Sequence, residues 1–223
     1  MRYLIVVAHP DDEVLGAGAT IHKLTEQGTE VAICTLVNHA AARANISGTL
    51  SEDQATAMKL LGVKTTYSAN FPNIKMNTVP HLEVVQFIEK CIEDFRADAI
   101  ITHHPSDLNN DHVIVSYATQ AASKLFQRKP GIISLKFLAY MEVPSSTDWS
   151  IDSSSNHFSP NYFVEIGKDG VKLKINALMA YKGVMCNYPH PRSFESITSL
   201  ATIRGSQSGT NYAEAFECVF IAI

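Results

Sequence analysis

Apolar runs alternate with amphipathic segments along most of the chain. The run from Tyr3 to Ala8 is continuously apolar and rich in valine, which is typical of a strand buried on both faces. From Asp12 to Gln27 the apolar positions recur at helical spacing, and Gly28 ends the segment. The same alternation predicts further strands at Val31–Val37, Val63–Tyr67 and Ala99–Thr102, and further helices at Ser51–Leu61, His81–Arg96 and Asp111–Phe126. This order predicts an α/β fold with a mostly parallel sheet and helices on both faces.

The last third of the chain has a different pattern. It predicts strands at Ile133–Met141, Tyr162–Ile166 and Phe216–Ile223, and helices at Val171–Lys182 and Ser193–Gly205. Between the first two of these strands, residues 144–160 are rich in serine and other polar residues, which indicates a loop or flap. We expect one domain over residues 1–223, with these strands and helices as a small C-terminal extension of the sheet.

Composition excludes several classes of protein. Hydrophobic residues make up 46% of the chain and charged residues 18%, so it is neither disordered nor fibrous. The net charge of −4 gives no strong attraction to nucleic acid or to an anionic membrane. No apolar stretch approaches the ~20 residues of a membrane-spanning helix. The cysteines Cys34, Cys91, Cys186 and Cys218 lie far apart in apolar segments, which predicts reduced thiols and a cytoplasmic location.

A histidine and three acids follow the first predicted strand, in the string AHPDDE from Ala8 to Glu13. In open parallel sheets, ligands bind outside the carboxyl ends of the strands. Carboxylates this close repel one another unless a cation binds them, which indicates a divalent metal site. The alternative is an ordinary helix start, because acids favour the positive end of the helix dipole and proline suits the first turn.

A second string, HHPSDLNNDH from His103 to His112, also follows a strand and precedes a helix. Two strand ends of one sheet can converge on one crevice, which favours the metal site. His9, Asp12 and His112 would give two imidazoles and one carboxylate, and a catalytic zinc keeps a further position open for water. Asp11 would then take a proton from that water, although spacing alone does not choose between Asp11 and Asp12 as the ligand.

The two strings together resemble the LmbE/PIG-L family of zinc-dependent N-deacetylases, with AHPDDE after an N-terminal strand and DLNNDH before a later helix. The segments Ser51–Gly62 and Arg204–Glu217 resemble the family too. The resemblance implies a Rossmann-like fold and hydrolysis of the N-acetyl group from an N-acetylglucosamine-type sugar or its conjugate.

By motif match, the resemblance assigns the metal ligands to His9, Asp12 and His112 and the catalytic base to Asp11. It implies one Zn²⁺ per chain, although the same ligand set also holds other divalent ions such as ferrous iron. It implies a small-molecule amino-sugar substrate and a homo-oligomer, since relatives often form trimers or hexamers. We expect no nucleic-acid partner and no membrane anchor.

One position departs from the family pattern. Many members carry a histidine three residues before the last ligand, where this chain has Asn109. An amide cannot act as a general acid, although Asn109 could donate a hydrogen bond to a developing oxyanion. We expect the proton for the leaving amine from His190, which has a proline on each side, with His104 or Asp11 as alternatives.

Other residues are candidates with plainer alternatives. Arg43 and Arg192 would bind the substrate, or they are solvated arginines. Asp107 and Asp111 would orient His112 or the neighbouring loops, since histidines that bind metals are usually held by a carboxylate. Asp111 is otherwise an acid that favours a helix N-terminus.

Asn109 also keeps a second class of function open, a non-catalytic module that binds metal or sugar on the same fold. A nucleotide-binding protein is disfavoured, because the acids after the first strand would repel a pyrophosphate that glycines and a helix N-terminus would bind.

Overall fold

The computed structural model describes residues 1–37, 50–151 and 156–223. Within these ranges the strands are β1 (Arg2–Val7), β2 (Glu30–Thr35), β3 (Thr65–Ser68), β4 (Ala99–His103), β5 (Phe137–Met141), β6 (Tyr162–Glu165) and β7 (Ala213–Ile221). The α-helices are α1 (Asp12–Glu26), α2 (Leu50–Leu61), α3 (His81–Phe95), α4 (Asn110–Ala122), α5 (Gly167–Ala180) and α6 (Phe194–Ser208). None of the helices in these ranges is long and apolar enough to cross a membrane.

The strands form one sheet in the order β3-β2-β1-β4-β5-β7-β6. The pairings among β1 to β5 are parallel, whereas β7 runs antiparallel to both β5 and β6. The predicted α/β architecture, a mostly parallel sheet flanked by helices, is therefore confirmed. The C-terminal strands extend the sheet beyond β5.

Helices cover both faces of the sheet, and this explains the continuous apolar run in β1. Tyr3, Ile5 and Val7 pack in a core formed with α1, α2, α5 and α6. Leu4 and Val6 point to the opposite core, which α3 and α4 complete. Both sets of alternating side chains are buried, so the strand has no polar face.

Some element boundaries differ from the sequence prediction. Helix α4 ends at Ala122 and not at Phe126, because the chain turns into a separate 3-10 helix at Leu125–Gln127. At this end the Ser123 hydroxyl donates to the carbonyl of Gln120, a local bond that competes with helix continuation. Strand β5 begins at Phe137 and not at Ile133.

A buried ion pair links the C-terminal part of the chain to α1. Lys174 Nζ on α5 donates to Glu214 Oε1 on β7 at 2.7 Å, and these side chains are only 8% and 5% exposed. The same carboxylate accepts from the backbone N–H groups of Ala19 and Thr20, at 3.2 and 2.7 Å, in the middle of α1. The last strand therefore holds the helix that begins at the AHPDDE string.

Helix α6 lies against the chain that follows it, and Gly205 permits this contact. A Cβ atom at this position would lie 2.6 Å from the backbone carbon of Asn211. Gly205→Ala should therefore lower the free energy of unfolding by about 1–3 kcal/mol, because backbone cannot move aside as a side chain can. Urea denaturation measures the change, with the exposed neighbour Ser206→Ala as control. Equal stability of both variants would contradict this packing.

Candidate metal centre and active site

The two strings meet because β1 and β4 are neighbouring parallel strands. Strand β1 ends at Val7, and His9 and the start of α1 follow at once. Strand β4 ends at His103, and its loop leads to α4, whose first turn carries His112. Since the carboxyl ends of parallel strands open at the same edge, both loops lie over one crevice.

His9, Asp12 and His112 face one another across this crevice. His9 Nδ1 lies 3.3 Å from Asp12 Oδ2 and 3.3 Å from His112 Nε2. His112 Nε2 lies 3.2 Å from Asp12 Oδ2. These three side chains form a triangle of donor atoms that could hold a metal ion.

The triangle has the dimensions of a zinc site. Ligand atoms about 2.0–2.2 Å from a tetrahedral zinc lie about 3.3 Å from one another, which matches all three edges. Two imidazoles and one carboxylate are also the donor types that catalytic zinc uses. The residues present therefore fit such an ion and leave a fourth position open.

Two carboxylates hold the outer edges of the histidine rings. Asp111 Oδ2 lies 3.1 Å from His9 Nε2, and Asp107 Oδ2 lies 3.2 Å from His112 Nδ1. This arrangement directs the remaining ring nitrogen of each histidine toward the centre, as in carboxylate–histidine–metal triads.

Both outer carboxylates are themselves fixed. Asp107 accepts from the Asn109 N–H at 2.8 Å and the Thr147 hydroxyl at 2.7 Å, and the Ser146 hydroxyl also donates to it. Asp111 accepts from the N–H groups of Ile74 and Met76, at 2.6 and 3.1 Å. The ring orientations therefore depend on segments well separated along the chain.

Asp11 has an unusual backbone conformation. It precedes α1 with φ 110° and ψ −26°, in the left-handed region that non-glycine residues seldom adopt. An aspartate at this position normally caps its helix with its own carboxylate, but this side chain makes no capping hydrogen bond. Strain of this kind costs about 1–3 kcal/mol and is concentrated at functional sites.

A cavity of about 390 Å³ opens above the triangle. Its lining combines the three candidate ligands with Asp11 and with residues from the loops around the crevice. The lining comprises His9, Pro10, Asp11, Asp12, Leu15, Leu50, Asn73, Ile74, Asn109, His112, Val143, Pro144, Ser145, Ser146, Gly183 and Arg192. This size is within the range of small-molecule sites.

Some of the other candidate site residues line this cavity and others do not. Asn109 and Arg192 line it. His104 does not, because its fully buried ring turns to Glu217, with Nε2 3.3 Å from Oε2. His190 does not line it either, although it belongs to the loop that ends at Arg192, whose N–H donates to His190 Nδ1 at 3.0 Å. Arg43 lies outside the described residues.

Comparison with known proteins agrees with this geometry. The family described as "PIG-L: GlcNAc-PI de-N-acetylase" matches residues 4–123, more than half of the chain. The chain belongs to the PIG-L family. This is a family of deacetylases, so the resemblance of the two strings is confirmed at the level of the family.

Relatives of this PIG-L family member include deacetylases. It is 24% identical to the "uncharacterized deacetylase YaiS" of Escherichia coli K12 over 189 residues, covering 80% of this chain and 89% of that protein. It is 23% identical to the diacetylchitobiose deacetylase of Thermococcus kodakarensis over 241 residues, covering 98% and 83%.

The same fold also occurs in an enzyme whose name describes a different reaction. The structure of GalB, the 4-carboxy-2-hydroxymuconate hydratase of Pseudomonas putida KT2440, superposes with a TM-score of 0.79 at 19% identity. The match covers all of this chain and 98% of GalB. The fold by itself therefore does not specify the reaction, which has to be argued from the site.

Electrostatics bind the triangle together in the absence of a metal. Burial disfavours the charged form of His9, but its bonds to Asp111 and Asp12 outweigh burial and raise its pKa to about 9. Burial also disfavours charged His112, and Asp12 and Asp107 raise its pKa to about 10. Although burial alone would raise the pKa of Asp12, the imidazoles hold it well below its usual value. Protonated imidazoles thus carry the positive charge that a metal would supply.

The sequence analysis assigned no role to three residues of this PIG-L site. His103 stacks on His112 with ring centroids 3.8 Å apart, and burial, reinforced by His112, lowers its pKa to about 3. The other two are Glu13, whose pKa burial raises to about 8, and its hydrogen-bond partner Tyr181. Because neighbouring residues of a strand face opposite sides of the sheet, a histidine pair at a strand end indicates that one of the two rings faces the crevice. The sequence does not say which of the two it is.

Metal binding should release protons from this PIG-L protein. With pKa values raised to about 9 and about 10, His9 and His112 would each have to lose a proton at pH 7 to become a ligand. Binding of a divalent ion at pH 7 should therefore release about two protons, and affinity should rise with pH until the two pKa values are passed. Calorimetric titration in buffers of different ionisation enthalpy gives this number. Binding without proton release would contradict the ligand assignment.

Proposed function

We propose that this PIG-L family member is a zinc-dependent hydrolase. It would remove the N-acetyl group from an N-acetylglucosamine-type sugar or its conjugate, releasing acetate and a free amine. The supporting observation is the triangle of His9, Asp12 and His112 at zinc-ligand spacing, beneath a cavity whose wall carries Asp11. The names of the family and of the Thermococcus relative support the class of substrate.

The residues around the triangle suit this reaction. Zinc, when bound, would activate water as a nucleophile at neutral pH and polarise the amide carbonyl. Asp11 would accept the proton that the water loses. Asn109 uses Oδ1 to accept from the Asp111 N–H at 2.9 Å, which leaves its Nδ2–H donors for the oxygen where negative charge develops.

Arg192 is the proposed contact to the sugar. Arg192 is part of the cavity wall. An arginine side chain carries five N–H donors, which suit the hydroxyl and carbonyl oxygens of an N-acetylated sugar. Arg43 remains a second proposed substrate contact, on sequence grounds alone.

A panel of N-acetylated sugars tests the function. The zinc-loaded protein should release free amine and acetate from at least one N-acetylglucosamine derivative, and the chelator-stripped protein should not. An unsaturated hydroxy acid serves as a comparison substrate, because GalB is named a hydratase. Turnover of that acid alone would contradict the proposal. Sugar binding without turnover of any sugar would favour the non-catalytic module.

Asp11 should be needed for turnover and not for metal binding. Asp11→Ala should lower kcat by about 10²–10⁴-fold, the usual contribution of a general base, while one zinc per chain remains bound. Elemental analysis and steady-state kinetics on the same preparation measure both quantities. Asp12→Ala is the matched variant and should lose the zinc. Full activity of metal-loaded Asp11→Ala would refute the mechanism.

The donor of the final proton remains a choice among His190, His104 and Asp11. The ring of His104 is turned to Glu217, whereas Arg192, two residues after His190, lines the cavity, so we keep His190 as the first choice. His190→Ala should therefore lose about 10²–10⁴-fold in kcat with its zinc retained, and His104→Ala should lose less. Wild-type turnover in both variants would leave Asp11 to make both proton transfers.

We also propose a cytosolic location and a homo-oligomer. The free thiols of Cys34, Cys91, Cys186 and Cys218 suit a reducing compartment. The trimer or hexamer implied by the family resemblance stays a prediction, and light scattering coupled to size-exclusion chromatography would measure it.

A further inference from the structure

The strained backbone of Asp11 depends on its surroundings. At φ 110° Asp11 lines the cavity, and its side chain makes no capping bond to α1. A conformation of this kind persists only where the surroundings determine it. The Asp11 carbonyl is held at the helix start, where it accepts from Val14 and Leu15 at 3.0 and 2.9 Å.

Glu13 supports the other side of the Asp11 peptide. Its Oε2 accepts from the Asp11 N–H at 3.1 Å, so the side chain reaches back to the residue that precedes the helix. Its Oε1 accepts from the hydroxyl of Tyr181. The contact to Asp11 persists in either protonation state of Glu13, because Oε2 acts there only as an acceptor.

Tyr181 brings a distant part of the chain to this point. It follows the last residue of α5, and its ring is packed in the core beneath α1. Glu13 is 0% exposed and Tyr181 1% exposed, and neither lines the cavity. An acid that served only the helix dipole would remain near water, because burial of a polar group is unfavourable without compensating bonds.

We propose that Glu13 and Tyr181 are positioning residues for the catalytic base. The Tyr181 hydroxyl fixes Glu13, Glu13 fixes the Asp11 backbone, and the Asp11 carboxylate is thereby held toward the substrate. This inference rests on the proposed function, which assigns the base to Asp11. It adds that the geometry of the base depends on a tyrosine from the C-terminal part of the chain.

Tyr181→Phe tests the proposal, because it removes the hydroxyl and keeps the ring. In the zinc-loaded enzyme we expect kcat to fall by about 10–100-fold, with KM and zinc content unchanged. Tyr3→Phe is the matched control and should keep wild-type kinetics. Tyr3 is a largely buried tyrosine on β1, and its hydroxyl donates to the Met1 sulfur, away from Asp11. Glu13→Leu, which removes the acceptor for the Asp11 N–H, should lower kcat as well.

The Asp11→Ala background separates positioning from a general structural role. If Tyr181 acts through the base, Tyr181→Phe should not lower the residual turnover of Asp11→Ala any further. An equal fractional loss in both backgrounds would overturn the proposal, since the hydroxyl would then serve the fold as a whole.

Amide hydrogen exchange gives a readout that does not need activity. The Asp11 amide should exchange faster in Tyr181→Phe and in Glu13→Leu than in the wild type, with and without zinc, and should be unchanged in Tyr3→Phe. An unchanged Asp11 amide in Tyr181→Phe would overturn the inference. If the wild type deacetylates no sugar, the proposed function fails, and the exchange rate still decides whether Glu13 and Tyr181 hold Asp11.

Discussion

The buried carboxylate of Asp12 is the constraint on which the site depends. It is only 4% exposed, and it accepts from the His9 N–H at 2.8 Å while the rings of His9, His103 and His112 surround it. A buried charge without partners costs several kcal/mol, so these groups must meet at one point. They lie at the ends of β1 and β4 and in the first turns of α1 and α4, and the parallel pairing of β1 with β4 brings them together. The order of the strands therefore determines which charged groups stabilise Asp12.

The groups around this carboxylate are connected to the cavity wall. Asp107 binds His112 on one side and the hydroxyls of Ser146 and Thr147 on the other. Ser146 itself lines the cavity. A change in the wall would therefore alter the orientation of His112, so in the proposed enzyme the shape of the cavity and the geometry of the metal site are not independent.

The sequence predicted the sheet because its strands are buried on both faces and stand out as apolar runs. It predicted the proximity of His9, Asp12 and His112 because each follows a strand end. It did not predict the conformation of Asp11, since nothing in the string DDE encodes a positive φ. The pairing of Glu13 with Tyr181 was equally inaccessible, because a contact between residues so far apart depends on how α5 packs on α1.

The contact of Glu214 with α1 bears on where this chain can be truncated. Glu214 lies outside the residues 4–123 that match the family, yet its carboxylate satisfies two backbone N–H groups in the middle of α1. A fragment ending where the family match ends would leave these groups without that partner, in the helix that starts beside Asp11. The segment that carries both motifs therefore shares a buried contact with the C-terminal third. Any recombination that exchanges the C-terminal third has to import an acid and a lysine in the places of Glu214 and Lys174.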